Sequence, residues 1–194
     1  YSNSVLFGKE TQVLGASYLN YDVKYYRLNL RFNPDSTGVP KYVKGSVTTY
    51  FTTEIPNFSQ INFDFAAALI CDSVKYHNVK LTGGNVVKVI DTLRINLPSP
   101  ITTQGTLDSV TVYYKGIPPV VSDFGGTTGF VNGGTGSNRY IYTLSEPYSA
   151  YTWWPCKSLV AYDKADSLYM FISTPSSFRV AGNGKRISET VTGS

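Results

Sequence analysis

Residues 21–32 read YDVKYYRLNLRF, and their reading decides the fold class. Tyr26, Leu28, Leu30 and Phe32 recur at every second position, while Tyr25, Arg27, Asn29 and Arg31 fill the places between. A period of two puts the first set on one face of a strand and the second on the other. Asn33-Pro34-Asp35-Ser36-Thr37-Gly38 follows with turn chemistry supplied by Pro, Asp and Gly. The next run, 43–51, alternates again, with Val43, Val47 and Phe51 set against Lys44 and Thr48. Ile61, Phe63 and Phe65 repeat the pattern. Further strands are expected over 69–76, 86–90, 93–97 and 107–114. Gly83-Gly84-Asn85, Pro98-Ser99-Pro100 and Gln104-Gly105 separate them.

Short strands at a spacing of about ten residues describe an all-β domain, either a sandwich or one large curved antiparallel sheet. No window longer than a turn or two carries a helical period; the exception, 64–69, is too short to stand alone. Leu168, Met170 and Ile172 alternate with Tyr169 and Phe171, so a strand apolar on both faces is expected there, central in a sheet. Phe178 to Val180 with the turn at Gly182-Asn183-Gly184 predicts a closing hairpin. Residues 1–20 read as a lead-in arm, 21–187 as one β-domain, and 188–194 as the start of a linker.

The bulk composition excludes several classes. The chain has 194 residues, 42% of them hydrophobic and 15% charged, which describes a globular protein of one sizeable domain. The net charge of +4 comes from Lys and Arg scattered singly, with no run dense enough for a nucleic-acid footprint. The longest apolar window, Ala66 to Cys71, is far below the ~20 residues of a membrane helix. Sparse charge beside plentiful Tyr, Thr, Ser and Asn suits an extracytoplasmic protein, secreted or periplasmic. Cys71 and Cys156 stand 85 positions apart, as one disulfide or, the preferred reading, as two separate thiols.

Candidate chemistry is sparse. Residues 122–138 hold six glycines, yet no Gly-Lys-Ser/Thr follows and no βαβ unit surrounds them, so they read as a connecting loop. His77 is the single histidine, which rules out H-E-x-x-H, and no G-x-S-x-G elbow supplies a serine nucleophile. No catalytic residue and no metal ligand is assigned. Asp163 and Asp166 read as a polar turn. Glu146 is the acid singled out: Pro147 restricts its backbone, and Tyr142, Tyr148, Tyr151, Trp153 and Trp154 surround it in sequence. A carboxylate partly desolvated among them could hold a cation by a charge-assisted hydrogen bond. The two tryptophans are expected to anchor the core. On a strand they would point to opposite faces, so at most one could form a stacking platform.

Several of these segments together resemble a family. LSEPYSA at 144–150, WWPCK at 153–157 and DKADS at 163–167 are similar to the end of the N-terminal domain of zinc aminopeptidases of the aminopeptidase N family, in particular its secreted bacterial branch. YDVKYYRLNL at 21–30, VYYKGIP at 112–118, Pro175 and VAGNG at 180–184 extend the likeness in the same order. The resemblance implies a saddle-shaped β-domain packed against a thermolysin-like catalytic domain of the same chain. It implies that the zinc belongs to that missing domain, which carries H-E-x-x-H and G-x-M-E-N, and that these residues alone bind no zinc and cleave nothing. It also places Glu146, ten residues before Cys156, where the family holds the free α-amino group of a peptide substrate. Leu144 departs from the Gln that many members have two residues before this acid. Lys157-Ser158-Leu159-Val160 departs from an Asp-x-Pro turn. The expected function is therefore that of a non-catalytic N-terminal domain of an aminopeptidase. The alternative is a non-enzymatic β-sandwich module binding carbohydrate or a protein partner.

Overall fold

The structure, a computed structural model, describes residues 18–34, 42–123, 126–146, 148–158 and 164–191. Strands β1 (Tyr21–Arg31), β2 (Val43–Thr53), β3 (Phe58–Asp64), β4 (Leu69–Tyr76), β5 (Val79–Lys80) and β6 (Val86–Val89) come first. They are followed by β7 (Thr92–Ile101), β8 (Leu107–Gly116), β9 (Val120–Asp123), β10 (Gly126–Gly133), β11 (Tyr140–Leu144) and β12 (Ser167–Ser173). These strands form a six-stranded sheet in the order β12-β1-β2-β8-β4-β5 and two three-stranded sheets, β3-β7-β6 and β11-β10-β9. The architecture is all-β, as the period-two runs predict. No helix among the described residues is long and apolar enough to cross a membrane.

Strand β1 shows how the pattern becomes packing. Tyr26, Leu28 and Leu30 are buried, and so are Tyr21 and Val23 before them. The phase changes because the pairing with β2 slips between Val23 and Tyr25, a bulge that lets one extra residue pass. Across the inner face Tyr21 meets Phe51, Phe58 and Phe63 with ring centroids 5.9 to 6.5 Å apart. Phe65 meets the buried Tyr114 edge-on at 5.7 Å. Aromatic pairs in this geometry add ~0.5–1.5 kcal/mol beyond the area they bury. The β3-β7-β6 sheet is thus fixed onto one face of the six-stranded sheet, and Phe130 of β10 joins the same core against Phe32 at 5.5 Å.

Four expectations are corrected. The glycine-rich segment is no loop: β10 runs through it and pairs with both β9 and β11. Strand β7 continues through Pro98-Ser99-Pro100, because β6 stops opposite Ile95 and the β3 register jumps between Phe58–Ile101 and Gln60–Asn96. Proline is tolerated in such an irregular stretch, where no ladder donor is required. Strand β12 lies at the sheet edge, not the centre, and runs parallel to β1 in an otherwise antiparallel sheet. Its Leu168, Tyr169 and Phe171 are exposed. Finally, 174–191 hold no strand, so the closing hairpin is not formed.

Much of the expected lead-in arm and the last residues of the expected linker lie outside the described residues. Tyr18 is buried and donates through its hydroxyl to Asp64 Oδ1 at 2.9 Å. Lys88 closes the turn between β3 and β4. Its Nζ donates to the carbonyls of Ala66 (3.0 Å), Ala67 (2.8 Å) and Leu69, and lies 4.8 Å from the Phe65 ring centre. Burial pushes its ammonium pKa below the ordinary lysine value. Lys88→Met should keep the stem's packing and lose these bonds. The expected result is a loss of about 1–3 kcal/mol in urea unfolding; a change below ~0.5 kcal/mol would show that water replaces the ammonium without cost.

Candidate functional site

Strand β11 is the free edge of the β11-β10-β9 sheet, and the chain leaves it into a tight turn. The Ser149 amide closes that turn by donating to the Ser145 carbonyl at 2.8 Å. Glu146 sits within it, exposed, with no hydrogen bond or ion pair to another described residue. Tyr142 and Tyr148 are exposed beside it in sequence. The expected partial desolvation of the Glu146 carboxylate is therefore not met within this chain. The tryptophans that were to supply it point away from solvent. Pro147, which was expected to restrict Glu146, lies outside the described residues.

A single 3-10 turn, Ala150–Thr152, explains the tryptophans. They follow it on a bent backbone rather than on a strand, so both turn inward; Trp153 is 5% exposed and Trp154 7%. This overturns the opposite-face reading while bearing out their core role. Trp153 Nε1 donates to Ser145 Oγ at 3.3 Å, and its carbonyl accepts from the Tyr114 hydroxyl at 2.9 Å. Trp154 stands edge-on to Tyr26 at 4.9 Å. Its indole N–H has no acceptor among the described residues.

The turn is also clamped from the glycine-rich strand, a partner no local pattern announced. The hydroxyls of Thr128 and Ser149 bond at 2.9 Å in a buried position. Gly129 has φ +79°, and a Cβ there would stand 2.5 Å from Thr152 Oγ1. That close approach fixes β10 against the 3-10 turn and needs glycine on both counts.

The segment after the tryptophans is tied down at Asp64. The amides and carbonyls of Cys156 and Asp64 exchange bonds at 2.7 and 3.1 Å, and the Ser158 amide donates to Asp64 Oδ2 at 2.8 Å. Lys157 is buried, with its Nζ donating to the Tyr21 carbonyl at 2.6 Å and lying 4.4 Å from the Tyr21 ring centre. In sequence Lys157 closes the WWPCK motif and opens the departure that follows it; in the structure it anchors the segment.

The remaining chemistry-bearing residues do not converge here. His77 Nε2 bonds Asp108 Oδ1 at 2.7 Å, its ring stacks on Tyr76 at 3.9 Å, and both sit at the β4–β5 hairpin. Cys71 and Cys156 are free thiols. Burial, with Asp72 nearby, pushes Cys71 up to about 11, and burial also raises Cys156 well above the ordinary thiol value. Neither is poised as a nucleophile. Asp163 lies outside the described residues. Among those described, no three His, Cys, Asp or Glu side chains are grouped to hold a metal ion.

What this geometry offers is one exposed carboxylate on a turn that buried hydroxyls, indoles and a glycine contact brace from behind. Comparison with solved structures shows where such a domain occurs. A two-domain M1 zinc metallopeptidase mutant bound to L-arginine matches with a TM-score of 0.73 and 22% identity, over 89% of this chain and 37% of that one. A mutant M1 zinc metallopeptidase from Deinococcus radiodurans bound to Tyr-Ser-Ala matches with the same TM-score and coverage at 21% identity. The chain resembles an N-terminal domain of the M1 family. Native yeast LTA4 hydrolase shares the fold more distantly, with a TM-score of 0.61 and 15% identity over 89% of this chain and 26% of the other. At these identities the likeness is one of fold, and the chain spans 37% of each of these two M1 metallopeptidase structures. No family model matches the sequence, and a comparison with curated proteins finds no match.

Proposed function

We propose that this chain is the non-catalytic N-terminal domain of a zinc-dependent aminopeptidase of the M1 type, and that Glu146 receives the α-ammonium group of the peptide substrate. The observation that carries the reading is the position of Glu146: an exposed carboxylate without a partner among the described residues, on a turn braced by Ser145, Ser149 and Trp153. A free α-amine titrates near ~7.7–8.0, so at neutral pH most substrate N-termini are cationic and suited to a carboxylate. The partner is a catalytic domain of the same chain, whose zinc would supply the Lewis acid. Closure of the two domains would supply the desolvation that Glu146 lacks here, and the braced turn would fix which peptide bond is presented. An extracytoplasmic location belongs to the same proposal.

The test uses a protein carrying both domains. Glu146→Gln keeps the shape and removes the charge; kcat/KM on unblocked peptides should fall by about tenfold or more, in line with the loss of a charge-assisted hydrogen bond. Unchanged kcat/KM would remove Glu146 from the site.

A further inference from the structure

The lysines and arginines that are scattered singly in the sequence are gathered by the six-stranded sheet. On the face turned away from the core, Arg31 of β1 stands opposite Lys44 of β2, which stands opposite Lys115 of β8. Four residues further along β1 and β2, past Asn29 and Ser46, another row runs from Arg27 through Thr48 and Thr111 to Lys75 and Lys80. The acids on this face are each paired with a lysine: Asp72 lies 2.9 Å from Lys115, and Asp22, beyond the second row, pairs with Lys24. Arg31, Lys44 and Lys80 have no acidic partner among the described residues.

Like charges directly opposite one another on neighbouring strands destabilise a sheet. The face accepts Arg31–Lys44–Lys115 and Lys75–Lys80 nonetheless. Between the rows lie the uncharged hydrogen-bonding groups of Asn29, Ser46 and Tyr113, and within the second row the Thr48 and Thr111 hydroxyls stand 2.9 Å apart. At the β12 edge Tyr169 and Phe171 present their rings at 49% and 47% exposure. The Arg27 guanidinium lies 4.8 Å from the Phe171 ring centre, and Lys75 Nζ 5.4 Å from that of Tyr113. Those contacts hold cations and rings on the same face.

We infer that this face binds an acidic polysaccharide of the polyuronate type. Neighbouring strands lie ~4.8 Å apart, so Arg31, Lys44 and Lys115 offer one cation per strand in a line across the sheet, along which the carboxylates of an acidic chain can be received. Hydroxyls between the cation rows match sugar hydroxyls, and exposed rings at the edge suit the apolar face of a pyranose. None of these residues belongs to the turn that carries Glu146, so the inference stands apart from the peptidase reading.

Calorimetric titration of the protein with a galacturonate oligomer tests it, with a neutral maltodextrin of matched length as control. Galacturonate should bind with an affinity that falls as salt rises, and maltodextrin should not bind. The triple variant Arg31→Gln/Lys44→Gln/Lys115→Gln should weaken binding by about tenfold or more. It should also melt close to the parent, since relief of the opposed like charges offsets loss of the solvent-exposed Lys115–Asp72 pair, which excludes unfolding as the cause. A variant with the same charge loss elsewhere, Lys164→Gln/Arg179→Gln/Lys185→Gln, should stay within about twofold of the parent. Absence of galacturonate binding overturns the inference, as does an equal loss in the control variant. So does tighter binding of polyglutamate, a single-stranded oligonucleotide or anionic vesicles.

Discussion

Replacing Trp153 by alanine is expected to lower the unfolding free energy by about 3–5 kcal/mol, the range found for emptying a large aromatic from a core. The side chain is almost wholly buried, stands against Trp154 at 6.0 Å, and bonds Ser145 Oγ. Its removal leaves a cavity bounded by that partner ring and takes away the indole donor. Trp153→Phe retains most of the ring and should cost roughly 1–2 kcal/mol, the share owed to the indole bond and the smaller volume. Urea unfolding at constant m-value measures both. A cost below ~1 kcal/mol for the alanine variant would return Trp153 to the surface and reopen its use as a stacking platform. Because Ser145 adjoins Glu146, the alanine variant of a two-domain protein should also lose turnover of unblocked peptides at temperatures where it remains folded.

Gly129→Ala should be the costliest single methyl in the chain's glycine-rich strand. A side chain at φ +79° costs about 1–2 kcal/mol by itself, and the new Cβ, 2.5 Å from Thr152 Oγ1 and 3.2 Å from Val121 Cγ2, adds about 1–3 kcal/mol of overpacking. Thr152 Oγ1 donates to the Ser149 carbonyl at 2.6 Å, so pushing it aside disturbs the turn that presents Glu146. A double-mutant cycle with Thr152→Ala separates the two costs. Removing the clashing oxygen should recover at least ~1 kcal/mol of the Gly129→Ala loss, while the backbone cost remains. Strict additivity would mean that the two residues do not meet, and the brace behind Glu146 would fall with it.

Legibility from sequence followed the range of the interaction. Strands β1, β2, β4 and β8 were visible because alternation is local, and each residue's face follows from its neighbours two places away. The strand through 126–133 was not visible, since glycine hides the alternation and only Thr128 and Phe130 keep it. Its strand character comes from pairing on both sides with β9 and β11. The place of β12 was misread for a related reason. Apolar residues on both faces mark burial on both faces, and that burial is absent at a sheet edge whose side chains stand in solvent. Glu146 was singled out by composition around it, yet the source of its support was not. Ser145, Thr128 and Gly129 reach the turn through a 3-10 bend that no periodicity encodes.

By itself the sequence determined the β class, most of the strand positions, the lack of a hydrolytic triad or zinc motif, and the acid that merits testing. All of these depend on residue type and short-range order. Only the tertiary structure decided that both tryptophans face inward, that the glycine stretch is a paired strand, and that single lysines and arginines fall into rows across β1, β2, β8, β4 and β5. Cross-strand register joins residues tens of positions apart, and a shift of one residue sends every side chain to the other face. Neither the brace behind Glu146 nor the basic face exists before the sheet has closed.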